Sequence, residues 1–63
     1  MKGAGNMYTI EDDFCNTIRM DENGKVRRYR DGKPLVFQTK EEAQRALDIL
    51  LQSDGLPAWI EKL

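Results

Sequence analysis

Residues 17–51, TIRMDENGKVRRYRDGKPLVFQTKEEAQRALDILL, decide the fold. The run opens with Thr17-Ile18-Arg19-Met20-Asp21, which alternates apolar and polar side chains as a half-buried strand does. Asn23-Gly24 follows, a pair that tolerates the positive φ of a type I′ turn and is a strong short-range hairpin signal. Val26-Arg27-Arg28-Tyr29-Arg30 reads as the return strand. Asp31-Gly32-Lys33 makes a second turn, with Gly32 suited to a left-handed bulge position. Leu35-Val36-Phe37 completes a third strand, and Pro34 before it is tolerated where its missing N–H faces an edge.

The rest of the run is a helix with both ends marked. Thr39-Lys40-Glu41-Glu42 is a capping box, in which the Thr39 hydroxyl accepts from the Glu42 N–H and Glu42 reaches back. Ala43, Ala46, Leu47, Leu50 and Leu51 form one apolar face at helical spacing, and the two alanines permit close approach to a sheet. Ser53-Asp54-Gly55-Leu56-Pro57 is the stop: Gly55 takes the left-handed cap, Leu56 folds back on the last turn, and Pro57 forbids continuation. The expectation is an α+β domain, a three-stranded antiparallel sheet packed on one α-helix, ending in a short C-terminal turn or helix over residues 58–63.

Register decides what the sheet displays. A two-residue Asn23-Gly24 loop sets Met20 against Arg27 and Ile18 against Tyr29. The inner face then carries Ile18, Met20, Arg27 and Tyr29, joined by Leu35 and Phe37. Arg19, Arg28 and Arg30 share the outer face with Thr17 and Val26. The register slipped by one residue buries Val26 but turns Arg28 and Arg30 inward. Two unpaired guanidiniums inside would cost several kcal/mol, so the first register is expected.

Working outward, residues 1–6 read as a flexible leader and 7–63 as a single small domain. Lys2-Gly3-Ala4 can be encoded by a purine-rich ribosome-binding sequence shortly before an ATG for Met7. On that reading Met7 is the natural start and the gene is bacterial or phage, and intact mass of the native product decides it. Glu11-Asp12-Asp13 reads as an acidic loop, with Phe14 packed and Cys15 small and semi-buried.

The chain has 63 residues, so its core is small and association with another chain is one route to stability. One cysteine and no histidine leave no intramolecular disulfide and no Cys/His zinc spacing. A reducing, cytoplasmic setting follows. The formal net charge is −1, which gives no global bias toward nucleic acid or membrane. No apolar run approaches the roughly 20 residues of a membrane span.

No nucleophile–base set, phosphate-binding glycine loop or metal-ligand spacing is present, so no catalytic function and no cofactor is expected. Asp21-Glu22-Asn23-Gly24 lacks the later bidentate glutamate of a calcium loop and reads as a turn. Recognition is expected instead at Arg19, Arg28, Arg30 and Tyr29, since arginine forks suit phosphates, guanine edges and acidic protein surfaces. Ile49, Trp59, Ile60 and Leu63 form a candidate association patch.

The order of two hairpins followed by Phe37-Gln38-Thr39-Lys40-Glu41-Glu42-Ala43 resembles the N-terminal arm-type DNA-binding domain of phage and transposon tyrosine integrases. Those domains resemble the plant AP2 fold, a three-stranded sheet on one helix. The resemblance covers about 35 residues and implies a sheet that approaches DNA through Arg19, Arg28 and Arg30.

Three functions are therefore expected in order. The first is a non-catalytic phage or mobile-element accessory protein that binds a host protein such as a defence nuclease, in the manner of anti-CRISPR inhibitors. The second is a small DNA-binding module that uses the basic sheet face. The third is a self-associating structural or antitoxin-like subunit, a homodimer through Ile49, Trp59 and Leu63.

Overall fold

A computed structural model describes residues 7–63, and the reading of residues 1–6 as a leader lies outside the described residues. The elements run β1 (Tyr8–Asp12), β2 (Thr17–Met20), β3 (Val26–Tyr29), α1 (Lys40–Asp54) and β4 (Ala58–Lys62). The α+β class and the single helix are as expected. The strands differ, because the molecule has two two-stranded antiparallel sheets, β2–β3 and β1–β4, where one three-stranded sheet was expected.

The β2–β3 hairpin forms, but its loop has three residues rather than two. Asp21 N donates to Lys25 O (2.8 Å), and Gly24 N donates to Asp21 O (3.1 Å). The Asp21 carboxylate explains the longer loop, since its Oδ1 accepts from both Asn23 N (2.8 Å) and Lys25 N (2.9 Å). Gly24 takes the left-handed position at φ 80°. One extra loop residue shifts the register, so Met20 pairs with Val26 and Ile18 with Arg28. Every side chain of β3 changes face relative to the expectation. Val26 becomes fully buried, and Arg28 points inward with it.

The third strand also moves. Residues 35–37 do not extend β3 as a meander. Leu35 N donates to Ile18 O on the free edge of β2 (2.9 Å), and Phe37 exchanges two hydrogen bonds with Tyr8 of β1 (2.8 and 2.9 Å). This short extended segment joins the two sheets, giving the spatial order β3, β2, 35–37, β1, β4. To reach that edge the chain crosses β2 at Arg19, whose Nε donates to Asp31 O (3.1 Å).

The helix forms as its caps dictate. Thr39 Oγ1 accepts from Glu42 N (3.1 Å), which is the forward half of the capping box. Gly55 sits at φ 70° and its N–H donates to Leu51 O, closing the C-terminus. Ala43, Ala46, Leu47 and Leu50 are buried, as the apolar stripe requires. Ala46, Leu47 and Leu50 meet Ile10, Ile18 and Val26, with Leu35, Phe37, Leu51, Ala58 and Ile60 packed around the margin.

Four local expectations are corrected. Glu11 and Asp12 belong to β1 rather than a loop, and Asp12 is buried. Phe14 is exposed. Cys15 is exposed and adopts φ 57° in the β1–β2 connection. Residues 58–62 form a strand, because β1 offers them a long-range partner: Ile10 lies opposite Ile60 and Tyr8 opposite Lys62.

Candidate functional site

The three arginines expected on the outer face, and Tyr29 expected on the inner one, part company. Arg28 lies inside, with its side chain only 8% exposed. Its Nε and Nη2 take Asp54 as a fork (2.7 and 3.2 Å). Nη1 donates to Asp12 Oδ2 (2.7 Å) and to Pro57 O (3.2 Å), while Nη2 also donates to Leu56 O (2.8 Å). Every N–H of the guanidinium is thus used. The cost that argued against this register is offset by two carboxylates and two carbonyls.

This arrangement ties four parts of the fold together: β3 through Arg28, β1 through Asp12, the helix end through Asp54, and the turn into β4 through two carbonyls. The last turn of α1 carries no basic residue of its own, so Arg28 also supplies the cation that a helix C-terminus favours. Leu56, expected to fold back on the helix, is exposed and contributes its carbonyl instead. Burial alone would push the Asp12 carboxyl up. The Arg28 guanidinium, the Asn16 side chain and the Asn16 and Phe14 N–H groups outweigh burial and hold it at about 2. Asp54 is lowered by Arg28 and then by the Leu56 N–H. Arg28 is raised, chiefly by Asp54.

Arg19 keeps the outer face, and the register shift brings Tyr29, expected on the inner face, to join it there. The Arg19 guanidinium carbon sits 3.7 Å from the Tyr29 ring centroid, a cation–π stack. Its Nε is committed to Asp31 O, and both residues are half-buried. Arg27, expected on the inner face, stands on the outer face and pairs with Asp21 (2.8 Å). Arg30 is exposed in the connection after β3. The continuous cationic wall is therefore replaced by one internal arginine, one stacked arginine and two exposed ones.

The expected association patch divides as well. Ile60 points toward the helix and packs against the core. Ile49 is exposed on the helix, where it lines a shallow depression with Gly24, Lys25 and Gln52, away from the C-terminal residues. Trp59 and Leu63 stay exposed on the other side of β4. They have company that the sequence reading did not select. Leu63 N donates to Met7 O (2.8 Å), which sets Met7 beside Leu63. Val36 is the outward residue between inward Leu35 and Phe37, and it shares an open groove with Thr9, Pro34 and Leu63. Strict alternation along 35–37 could have revealed Val36; Met7 is visible only once β1 and β4 are paired.

The result is an apolar stripe on the face of the β1–β4 sheet opposite the helix. Met7, Val36, Trp59 and Leu63 are 36%, 46%, 37% and 65% exposed. Among the described residues of β1 and β4, Glu11 and Glu61 interrupt it with charge, both on the same face by alternation. Among the described residues, no group of three His, Cys, Asp or Glu is placed to hold a metal ion, and no helix is long and apolar enough to cross a membrane. Comparison with protein-family models, with curated proteins and with solved structures finds no match.

Proposed function

We propose that this chain is a non-catalytic binding module whose partner is a protein, engaged through the open face of the β1–β4 sheet. The observation that carries the reading is the exposure of Met7, Val36, Trp59 and Leu63 on one sheet face of a small domain. Met7, Val36 and Leu63 form an exposed apolar cluster, and Trp59 stands further along the same face of β4, the kind of surface that marks a protein contact. Glu61 between Trp59 and Leu63, and Glu11 opposite Trp59, give that face two negative charges for a partner to match. In the accessory-protein reading, that partner is a host protein such as a defence nuclease.

The sheet-based DNA-binding reading loses its central residue, because Arg28 is occupied by Asp12, Asp54 and two carbonyls. Arg30 remains exposed, while Arg27 is paired with Asp21.

The test is capture from a bacterial lysate with and without nuclease, repeated with Val36→Lys plus Leu63→Lys and, separately, with Arg30→Glu. A protein retained after nuclease, lost with the lysine pair and kept with Arg30→Glu, is the expected result. Retention of DNA that falls steeply with salt and disappears with Arg30→Glu would replace this reading with the nucleic-acid one.

A further inference from the structure

β4 is the last strand of its sheet, and its pairing with β1 fixes which backbone groups remain open. Leu63 N donates to Met7 O, so Leu63, Glu61 and Trp59 turn their N–H and C=O groups toward β1. The same alternation holds on β1, where Tyr8 turns the other way and bonds Phe37. Ala58, Ile60 and Lys62 therefore direct their N–H and C=O groups away from β1. Among the described residues nothing pairs with that outer edge.

The edge carries charge at Glu61 and Lys62 but has neither a bulge nor a proline within the strand. Its register against β1 is regular over five residues, with no bulge, and its proline, Pro57, precedes the strand. Lys62 is the one charged residue whose open backbone groups lie on it.

We propose that a second copy of this chain occupies the edge, antiparallel, about a two-fold axis at Ile60. The two sheets then form one continuous sheet in the order β1, β4, β4 of the second copy, β1 of the second copy. Ile60 exchanges hydrogen bonds with Ile60, and Ala58 of each copy exchanges them with Lys62 of the other.

The register follows from charge and bond count. An axis at Glu61 or Lys62 sets like charges directly opposite each other. An axis at Ala58 or Trp59 brings Leu56 or Pro57 into the pairing. Their carbonyls are taken by Arg28, the Leu56 N–H donates to Asp54, and proline has no N–H. Only the axis at Ile60 engages all three open residues of both copies. It sets Trp59 against Glu61 and small Ala58 against the Lys62 stem, with no like charges opposed.

The other outer strand, β3, refuses a copy of itself. Every two-fold register centred within Val26–Tyr29 places Arg or Lys opposite Arg. A formal net charge of −1 leaves little repulsion between whole copies. This pairing uses the strand edge and leaves the apolar face open, so it stands or falls apart from the protein-binding reading.

A chain of this length can be made by chemical synthesis, which allows a single-atom test. N-methylation of Ile60 removes one outward N–H, keeps the side chain in the core and touches no hydrogen bond of the monomer. Sedimentation velocity of the unmodified chain over micromolar to millimolar concentration is expected to show a monomer–dimer equilibrium. The N-methyl chain should show the same circular dichroism and a dissociation constant raised at least tenfold, as expected for loss of central backbone bonds, each worth about a factor of ten or less. Amides of Ala58, Ile60 and Lys62 should gain exchange protection as concentration rises. A monomer at millimolar concentration overturns the proposal. So does a dimer that N-methylation leaves unchanged and Val36→Lys abolishes, since that dimer would stack through the sheet faces.

Discussion

Replacing Arg28 by methionine removes the guanidinium while keeping an unbranched apolar stem of similar reach. The cost falls unevenly on the groups left behind. Asp54 is about a third exposed and the Leu56 and Pro57 carbonyls lie in exposed residues, so water replaces what Arg28 gave them. Asp12 is different, because its side chain has no exposed surface. It keeps the Phe14 N–H, the Asn16 N–H and the Asn16 side-chain amide, but loses its counter-charge. Breaking a buried ion pair by removing one partner costs roughly 3–5 kcal/mol, and the surviving donors place this case near about 3 kcal/mol. A 63-residue domain has a total stability of roughly 3–9 kcal/mol, so the variant sits near its unfolding midpoint or keeps only part of its stability. Urea unfolding followed by far-ultraviolet circular dichroism measures the difference. Adding Asp12→Asn to the Arg28→Met chain removes the stranded charge and should restore about half of the loss. A loss below about 1 kcal/mol, the worth of a surface pair, would refute the internal placement of Arg28.

Three further outcomes are expected. Asp12, Asp54 and Asp21 all have lowered pKa values, Asp21 chiefly through the Lys25 N–H, so the unfolded chain binds protons first as pH falls. Their stabilisation is complete above the ordinary carboxylate pKa of about 3.9 and is lost as pH falls through their lowered values, about 2 for Asp12. Acid titration of the unfolding midpoint should be flat from neutrality to about pH 5, and Asp12→Asn should shallow the acid limb; a decline beginning at neutral pH contradicts this. Gly32→Ala should destabilise more than Gly24→Ala by thermal unfolding. Both glycines have positive φ, but a Cβ at Gly32 meets Arg19 Nε at 2.7 Å whereas one at Gly24 meets nothing within 4 Å. Thr39→Ala should cost about 1 kcal/mol in urea unfolding through the lost N-cap, and Thr39→Ser should not.

The helix was legible in the sequence because its determinants are local. Thr39 and Gly55 mark its ends, and its buried residues are the spaced alanines and leucines. The β2–β3 hairpin was legible as a pair of strands but not in register. Asn23-Gly24 promised a two-residue loop, and the Asp21 side chain, two residues earlier, recruited Asn23 and Lys25 to make a longer one. An unpaired arginine would oppose that shift, because burying its charge is costly. Its partners, Asp12 and Asp54, lie 16 and 26 residues away and are brought to Arg28 only by the finished fold. The β1–β4 pairing joins the two ends of the described chain with no connecting turn, so no short-range signal announces it. The association patch was half legible for the same reason. Trp59 and Leu63 share a face by alternation, but turning that face away from the helix requires β1 beside it.

The register of the β2–β3 hairpin sends Arg28 inward, and the internal ion-pair network depends on it. Nuclear Overhauser contacts between Hα protons of non-hydrogen-bonded cross-strand pairs, whose Cα atoms approach to about 4.5 Å, read that register directly. The structure predicts strong Hα–Hα contacts for Ile18 with Arg28 and for Met20 with Val26. Contacts between Arg19 and Arg28 and between Asp21 and Val26 would instead establish the two-residue loop, return Arg28 to the outer face and contradict the account.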